Sequence, residues 1–336
     1  MKKILLITDA WKPQTNGVVT TLTNLEINLK KRGFYPIVIS PNNFKTFRCP
    51  GYKDIDISLN VWQISKHIDE NNPNYIHIAT EGPVGLAAKM YCDINKIKYS
   101  TSYHTNFPEY LNNFFNIPTQ LTYAFLKYFH KNSISVMVAT DSIEKELFSR
   151  GFKNIKKWSR GVDFNHFKPI VKKIQSEKKT ILCVSRVSKE KNLEEFFNLD
   201  INANKIMVGD GPMLNEYINK YPDVDFKGFL YGEELNKAYC SADAFVFPSL
   251  TDTFGLVVIE SISCGTPVAA FDAPGPRDII ETGVNGFFGG DLCANVTKCF
   301  SLDRSKVYES SQKWSWENST NMFIENILPM IEKEAA

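Results

Sequence analysis

Two polar clusters follow runs of apolar residues, and each carries side chains that could meet a ligand. The first is Val184-Ser185-Arg186-Val187-Ser188-Lys189-Glu190-Lys191-Asn192, directly after the strand-like run Thr180-Ile181-Leu182-Cys183-Val184. At the carboxyl edge of a doubly wound sheet such a loop faces ligands. Arg186 could grip a diphosphate by paired hydrogen bonds and Lys191 could meet it as a point charge. An isolated basic turn is by default only solvated, so the weight comes from the second cluster. Residues 248–267 read strand end, polar loop, helix, glycine stop and next strand. Gly255 carries no side chain, so a ligand can come close to the backbone where the helix starts. The free N–H groups of about residues 254–257 form an anion site there. Asp252 and Glu260 lie eight positions apart, one before the helix and one within it. A loop carboxylate can accept hydrogen bonds from sugar hydroxyls, and one further along from a ribose. Asp252 taken alone reads more readily as a helix cap or surface residue. Glu260 sits inside the apolar run 256–262, where an unpaired carboxylate is costly, and a place at a ligand is better supported for it.

Other features exclude more than they propose. Val208-Gly209-Asp210-Gly211-Pro212 is half of a nucleotide-binding glycine turn; without the third glycine it reads as a plain strand-to-helix turn and not as a dehydrogenase fingerprint. Seven cysteines are odd in number, scattered and without a C-x-x-C pair, which fits free buried thiols in a reducing cytoplasm. The five histidines show no ligand spacing, so no metal is expected. Lys+Arg 39 against Asp+Glu 37 leaves a formal charge of +2, with 43% hydrophobic and 23% charged residues. This excludes a disordered chain, a fibrous rod and a basic nucleic-acid tail. No stretch approaches the ~20 apolar residues of a membrane span, which reads as a soluble or peripheral protein.

The elements that must position these residues alternate strand and helix. Ile4-Leu5-Leu6-Ile7 is nearly all apolar, as in a strand buried on both faces. Val19, Leu22, Leu25 and Leu29 then recur at helical spacing up to Gly33, and strands follow around residues 35–40, 75–78 and 98–103. A second alternating set begins at Thr180, after a looser stretch at 158–179 that reads as an inter-domain linker. The 336 residues therefore divide into an α/β domain at 1–165 and another at 166–315, with a closing amphipathic stretch from 316.

Arg186 with Lys191, and the acid–seven residues–acid pattern Asp252 to Glu260 followed by Cys264-Gly265-Thr266-Pro267-Val268, resemble the family-4 retaining glycosyltransferases of GT-B fold. The amino-terminal half is similar as well. Its matching stretches are Thr8-Asp9-Ala10-Trp11 through Val19, Ala79-Thr80-Glu81-Gly82-Pro83, Ser102-Tyr103-His104-Thr105 through Tyr110, and Arg160-Gly161-Val162-Asp163. The nearest branch comprises α-mannosyl-, glucosyl- and sulfoquinovosyltransferases acting on glycerolipids. Most of the family has Glu where Asp252 stands, so this chain's carboxylate has a shorter reach.

The resemblance implies two Rossmann-like doubly wound domains facing across a cleft, with residues 316–336 crossing back to the first. It implies a hexose transferred with retention from a nucleotide-diphosphate sugar to a lipid or glycan acceptor, without metal or resident cofactor and without nucleic acid. Arg186 and Lys191 would hold the diphosphate and stabilise the leaving group. Glu260 would bind the ribose, while Asp252 and the backbone of Thr253, Phe254, Gly255 and Leu256 orient the sugar. Gly17 would let the first loop approach the phosphates, and His104 would meet the sugar near C6. A 2-epimerase on the same fold, or a non-catalytic nucleotide-sugar-binding protein, are the alternatives. The aromatic-rich residues 107–130, flanked by Lys127 and Lys131 and joined by Lys30, Lys31, Arg32, Lys45, Arg48 and Lys53, suit peripheral contact with the anionic inner face of a membrane. A core helix beside a solvated basic face is the plainer reading.

Overall fold

The computed structural model describes residues 1–48, 56–109, 112, 116–170 and 178–328. The chain divides into two compact units, Met1–Arg160 with Trp316–Ala336, and Gly161–Ser315.

The first unit is built on strands β1 (Lys3–Ile7), β2 (Tyr35–Ile39), β5 (Tyr75–Ile78), β6 (Ser100–Tyr103), β7 (Val136–Val138) and β8 (Ile155–Lys157), all parallel, in the order β2-β1-β5-β6-β7-β8. A separate antiparallel pair joins β3 (Thr46–Arg48) and β4 (Asp56–Ser58). β1 is apolar throughout its last four residues because both of its faces are covered. Ile4 and Leu6 pack with Leu22, Leu25 and Leu29 of helix α1 (Gly17–Lys31). Leu5 and Ile7 face the other way, toward Val84, Ala88 and Cys92 of α2 (Pro83–Ile94). The alternation of side chains along a strand thus feeds two helical layers from one run of five residues. Helix α3 (Thr119–His130) packs Tyr123 and Leu126 against Tyr103 and Val138.

The second unit repeats the plan with β9 (Lys179–Val184), β10 (Ala203–Val208), β11 (Val224–Gly228), β12 (Ala244–Phe247), β13 (Val268–Ala270) and β14 (Gly286–Phe288). Their order is β11-β10-β9-β12-β13-β14, again all parallel. From β9 the chain moves outward to β10 and β11, then returns to the other side of β9 as β12. The gap between the carboxyl ends of β9 and β12 is the topological switch point, where open α/β sheets bind ligands. Helices α4 (Gly232–Ser241), α5 (Leu256–Ser263) and α6 (Pro274–Ile279) flank that half of the sheet.

Helix α7 (Trp316–Ile327) belongs to the first unit. Phe323 and Ile327 enter its core beside Leu22 and Trp158, and the Ser319 hydroxyl donates to the Ser159 carbonyl at 2.7 Å. Trp158 opens the segment read from sequence as linker, yet it is fully buried and its ring lies 5.1 Å from that of Phe323. The linker reading counted Gly161, Pro169 and lysines, but the tryptophan before them anchors a core. Residues 171–177 of that segment, and 329–331 of the closing amphipathic stretch, lie outside the described residues.

Candidate functional site

The loop after β9 is held backbone to backbone. The Ser185 amide donates to the Val208 carbonyl and the Val187 amide to the Asp210 carbonyl, at 3.0 and 2.9 Å. Gly209 and Gly211 make this approach possible. A β-carbon on Gly209 would lie 1.9 Å from the Ser185 carbonyl oxygen, and one on Gly211 would lie 2.3 Å from that of Val187. The Gly-Asp-Gly sequence, read as a plain turn, is therefore a clamp on the loop that presents Arg186. Arg186 itself is half-buried, between the two bonded amides. Six residues on, Asn192 adopts a left-handed conformation with φ of 53°, which asparagine tolerates. Its side-chain amide donates to the Pro248 carbonyl at 3.2 Å, tying the Lys191 turn to the end of β12.

The two clusters meet. The Lys191 ammonium donates to both carboxylate oxygens of Asp252, at 2.7 and 3.0 Å. Both side chains keep about a quarter of their surface, 23% and 24%. Burial alone would raise the Asp252 carboxyl, but the charge and hydrogen bonds of Lys191 outweigh it and hold the group below the usual carboxylate range. Sequence reading assigned these residues to different parts of a ligand; in this structure they are each other's partners. Asp252 is neither a helix cap nor a free surface acid.

Gly255 precedes α5 with φ of 90°, in the left-handed region, and a β-carbon there would crowd the Phe247 ring at 3.1 Å. Gly255, the residue before α5, has no side chain with which to cap it. Thr253 and Phe254 are buried, and Gly275 of α6 presses on the Phe254 carbonyl, which a β-carbon would meet at 2.1 Å. One turn along α5 from Leu256, Glu260 is paired rather than alone: Tyr239 of α4 donates its hydroxyl to Oε2 at 2.9 Å. Burial pushes the Glu260 carboxyl up to about 7 against that hydrogen bond. Arg186, Lys191, Asp252, Thr253, Phe254, Gly255, Leu256 and Glu260 thus all belong to loops and one helix at the same switch point.

The first unit's switch point, between β1 and β5, is occupied by its own side chains. Asn16 accepts from the amides of Val18 and Val19, both at 3.0 Å, capping the helix that Gly17 begins. Asp9 accepts from the amides of Val84 and Gly85 at the start of α2, at 2.7 and 3.2 Å, and from the Thr80 hydroxyl at 2.8 Å. Gly82 is glycine because a β-carbon would lie 2.4 Å from the Asp9 carboxyl carbon. The starts of α1 and α2 are therefore already met by the protein's own oxygens, that at Gly17 among them. His104 lies beyond the end of β6, where Arg160 Nη2 stands 2.8 Å from its Nδ1. A guanidinium can only donate, so Nδ1 is the acceptor. Burial and the Arg160 charge hold the imidazole well below its usual pKa, and the neutral ring carries its proton on Nε2.

Asp9, Asn192, Gly209, Gly211, Tyr239 and Gly275 were not among the site residues expected from sequence. Only Asn192 lay inside the cluster read as chemical; the others act through backbone contact or from elements distant in sequence.

Residues 15–166 match the family model described as Glycosyltransferase Family 4, and residues 165–291 the one described as Glycosyl transferases group 1. The chain belongs to the family-4 glycosyltransferases. The glycosyltransferase is 30% identical over 310 residues to the sulfoquinovosyl transferase SQD2 of Arabidopsis thaliana, covering 82% of this chain and 61% of the plant protein's length. It is 26% identical over 312 residues to a GDP-mannose-dependent alpha-mannosyltransferase of Corynebacterium glutamicum (84% and 76%). Identity to an alpha-monoglucosyldiacylglycerol synthase of Streptococcus pneumoniae is 24% over 324 residues (83% and 73%). Among solved structures it resembles the sucrose-phosphate synthase of Thermosynechococcus elongatus, with a TM-score of 0.76 at 17% identity over 100% of this chain and 98% of the other. The fold is GT-B, as the sequence motifs implied.

Proposed function

We propose that the protein transfers a hexose from a nucleotide-diphosphate sugar to a hydroxyl of a glycerolipid or related glycoconjugate, with retention at the anomeric carbon. The observation that carries this reading is the meeting of Lys191, the Arg186 loop and the start of α5, entered through Gly255, at one switch point. The printed names of the relatives support donor and acceptor class: one depends on GDP-mannose and another makes a glucosyldiacylglycerol. They are transferases, which favours transfer to an acceptor over 2-epimerisation of the donor.

The roles follow from charge. As the bond from the anomeric carbon to the diphosphate breaks, the sugar becomes oxocarbenium-like and negative charge builds on the departing phosphate. Fixed positive groups aimed at it lower the barrier most. Arg186, Lys191 and the amides at the start of α5 supply them. Asp252, already bound to Lys191, accepts from the sugar hydroxyls, so one ion pair spans sugar and phosphate. The acceptor oxygen attacks from the face the diphosphate leaves, and its proton passes to a phosphate oxygen. Glu260 accepts from the ribose, and within the first unit the neutral His104 has an Nε2–H to donate. Chromatography of an incubation with nucleotide sugar and diacylglycerol tests the reading. A new glycoside is expected, whereas epimerised donor or unchanged donor would each contradict it.

Peripheral membrane contact forms part of the proposal, supported by α3. Its residues Thr122, Tyr123, Leu126, Phe129 and His130 are buried, so this face of the helix is core. Leu121, Phe125 and Tyr128, spaced four and three apart, are exposed beside Lys127 and Lys131. Such an apolar stripe edged with lysines suits an anionic lipid surface. Tyr110, Leu111, Phe114, Phe115 and Lys53, part of the same expectation, lie outside the described residues. Among the described residues no helix is long and apolar enough to cross a membrane. Co-sedimentation with phosphatidylglycerol vesicles at low salt is expected, and its absence would remove the lipid-surface reading.

A further inference from the structure

Tyr239 stands outside every cluster that sequence reading singled out, yet it is the residue that meets Glu260. Its ring is fully buried, 5.9 Å from Phe167 and 5.6 Å from Phe245. Its carbonyl accepts from the Thr266 hydroxyl at 2.6 Å, so α4 is fixed to the turn that ends α5. With ring and backbone both held, the hydroxyl has little freedom, and it lies 2.9 Å from Glu260 Oε2.

We propose that Tyr239 is a positioning residue for the donor: its hydroxyl pins one oxygen of Glu260 and favours the charged carboxylate, leaving the other oxygen to accept from the ribose diol. The proposal rests on the donor reading above and adds to it a residue and a pH dependence. Burial and the Glu260 charge hold the phenol well above its usual range, so it keeps its proton and donates. The other ionisable groups around the pair are Cys264 at the end of α5 and Cys183 on β9, both thiols raised by burial. Beyond Cys264 lie Cys240 of α4 and the Arg304 guanidinium, which donates to the Cys240 carbonyl and the Thr266 hydroxyl. Two groups here change charge near neutrality, Cys240, lowered to about 7 by its hydrogen bond with Cys264, and Glu260, pushed up to about 7; of these Glu260 is the one that the Tyr239 hydroxyl bonds. A ribose hydroxyl donates best to the carboxylate, so donor affinity falls as pH drops through that range.

The test is calorimetric binding of UDP-glucose and GDP-mannose to the whole chain between pH 6 and 8.5. Their pyrophosphate diesters do not ionise in this interval, so the pH dependence belongs to the protein. The unchanged protein is expected to bind one of them with affinity falling up to about tenfold per unit below the midpoint. Tyr239→Phe, checked for an unaltered Tm at low pH, should move that midpoint upward, losing severalfold at pH 7 and recovering most of it at pH 8.5. Glu260→Gln should bind weakly with a flat profile. Equal loss in Tyr239→Phe at every pH, or an unchanged midpoint, would overturn the positioning role while leaving the donor reading intact. Failure of the unchanged protein to bind either donor would overturn both.

Discussion

Lys191 and Asp252 set the residue-scale chemistry, because each is half of an ion pair that must also serve a ligand. Removing a fixed positive group at a charge-developing atom costs about 10²-fold in turnover. Lys191→Ala is therefore expected to lower kcat by about that factor and to change donor affinity much less, read from steady-state kinetics beside a binding titration; unchanged kcat would remove Lys191 from the mechanism. Glu260 makes the opposite trade, function against stability. Its carboxyl rises from 4.5 to about 7 on folding, so between those values the folded chain binds more protons than the unfolded one. Stability then declines as pH rises through this window. Glu260→Gln should flatten that slope and, at pH 8, gain on the order of 1–3 kcal/mol in denaturant unfolding while losing donor binding. A variant less stable than the parent at pH 8 would contradict the burial cost.

Glycines decide where the elements can go. Gly209 and Gly211 let the β10 loop lie against the β9 loop, and Gly275 lets α6 lie against Phe254. Gly211→Ala puts a methyl carbon 2.3 Å from the Val187 carbonyl, so the Arg186 loop must shift. Loss of at least tenfold in kcat/KM is expected, since small displacements of positioning groups cost about 10²-fold; parental kcat/KM would show that the loop tolerates the shift. At this scale the sequence was legible where periodicity is strong. Ile4–Ile7, the α1 stripe and the runs at 180–184 and 244–247 all became buried strands or helix faces. The three-residue edge strands β8 and β14, and the β3–β4 pair, escaped because so short a run has no period to read. Arg186, Lys191, Asp252 and Gly255 were nominated from the sequence because strand ends mark the ligand edge. The Lys191–Asp252 pair, the Asp9 cap and Tyr239 could not be, since each joins residues 21 to 76 positions apart, as long-range contacts do.

The two units share a parallel-sheet plan yet differ chemically where each would hold an anion. In the first, Asn16 and Asp9 already accept from the leading amides of α1 and α2. In the second, α5 begins after Gly255, which has no side chain, beside Lys191 and the Arg186 loop. A helix start near cations attracts phosphate, and one filled by the protein's own oxygens does not. On the function proposed above, the diphosphate belongs to the second unit. The most direct test compares a nucleoside diphosphate with its nucleoside, uridine with UDP and guanosine with GDP, on the parent and on Arg186→Ala with Lys191→Ala. The account predicts that the diphosphate tightens binding at least 100-fold in the parent and that the double variant erases most of this gain. A gain of the same size in the double variant would contradict it.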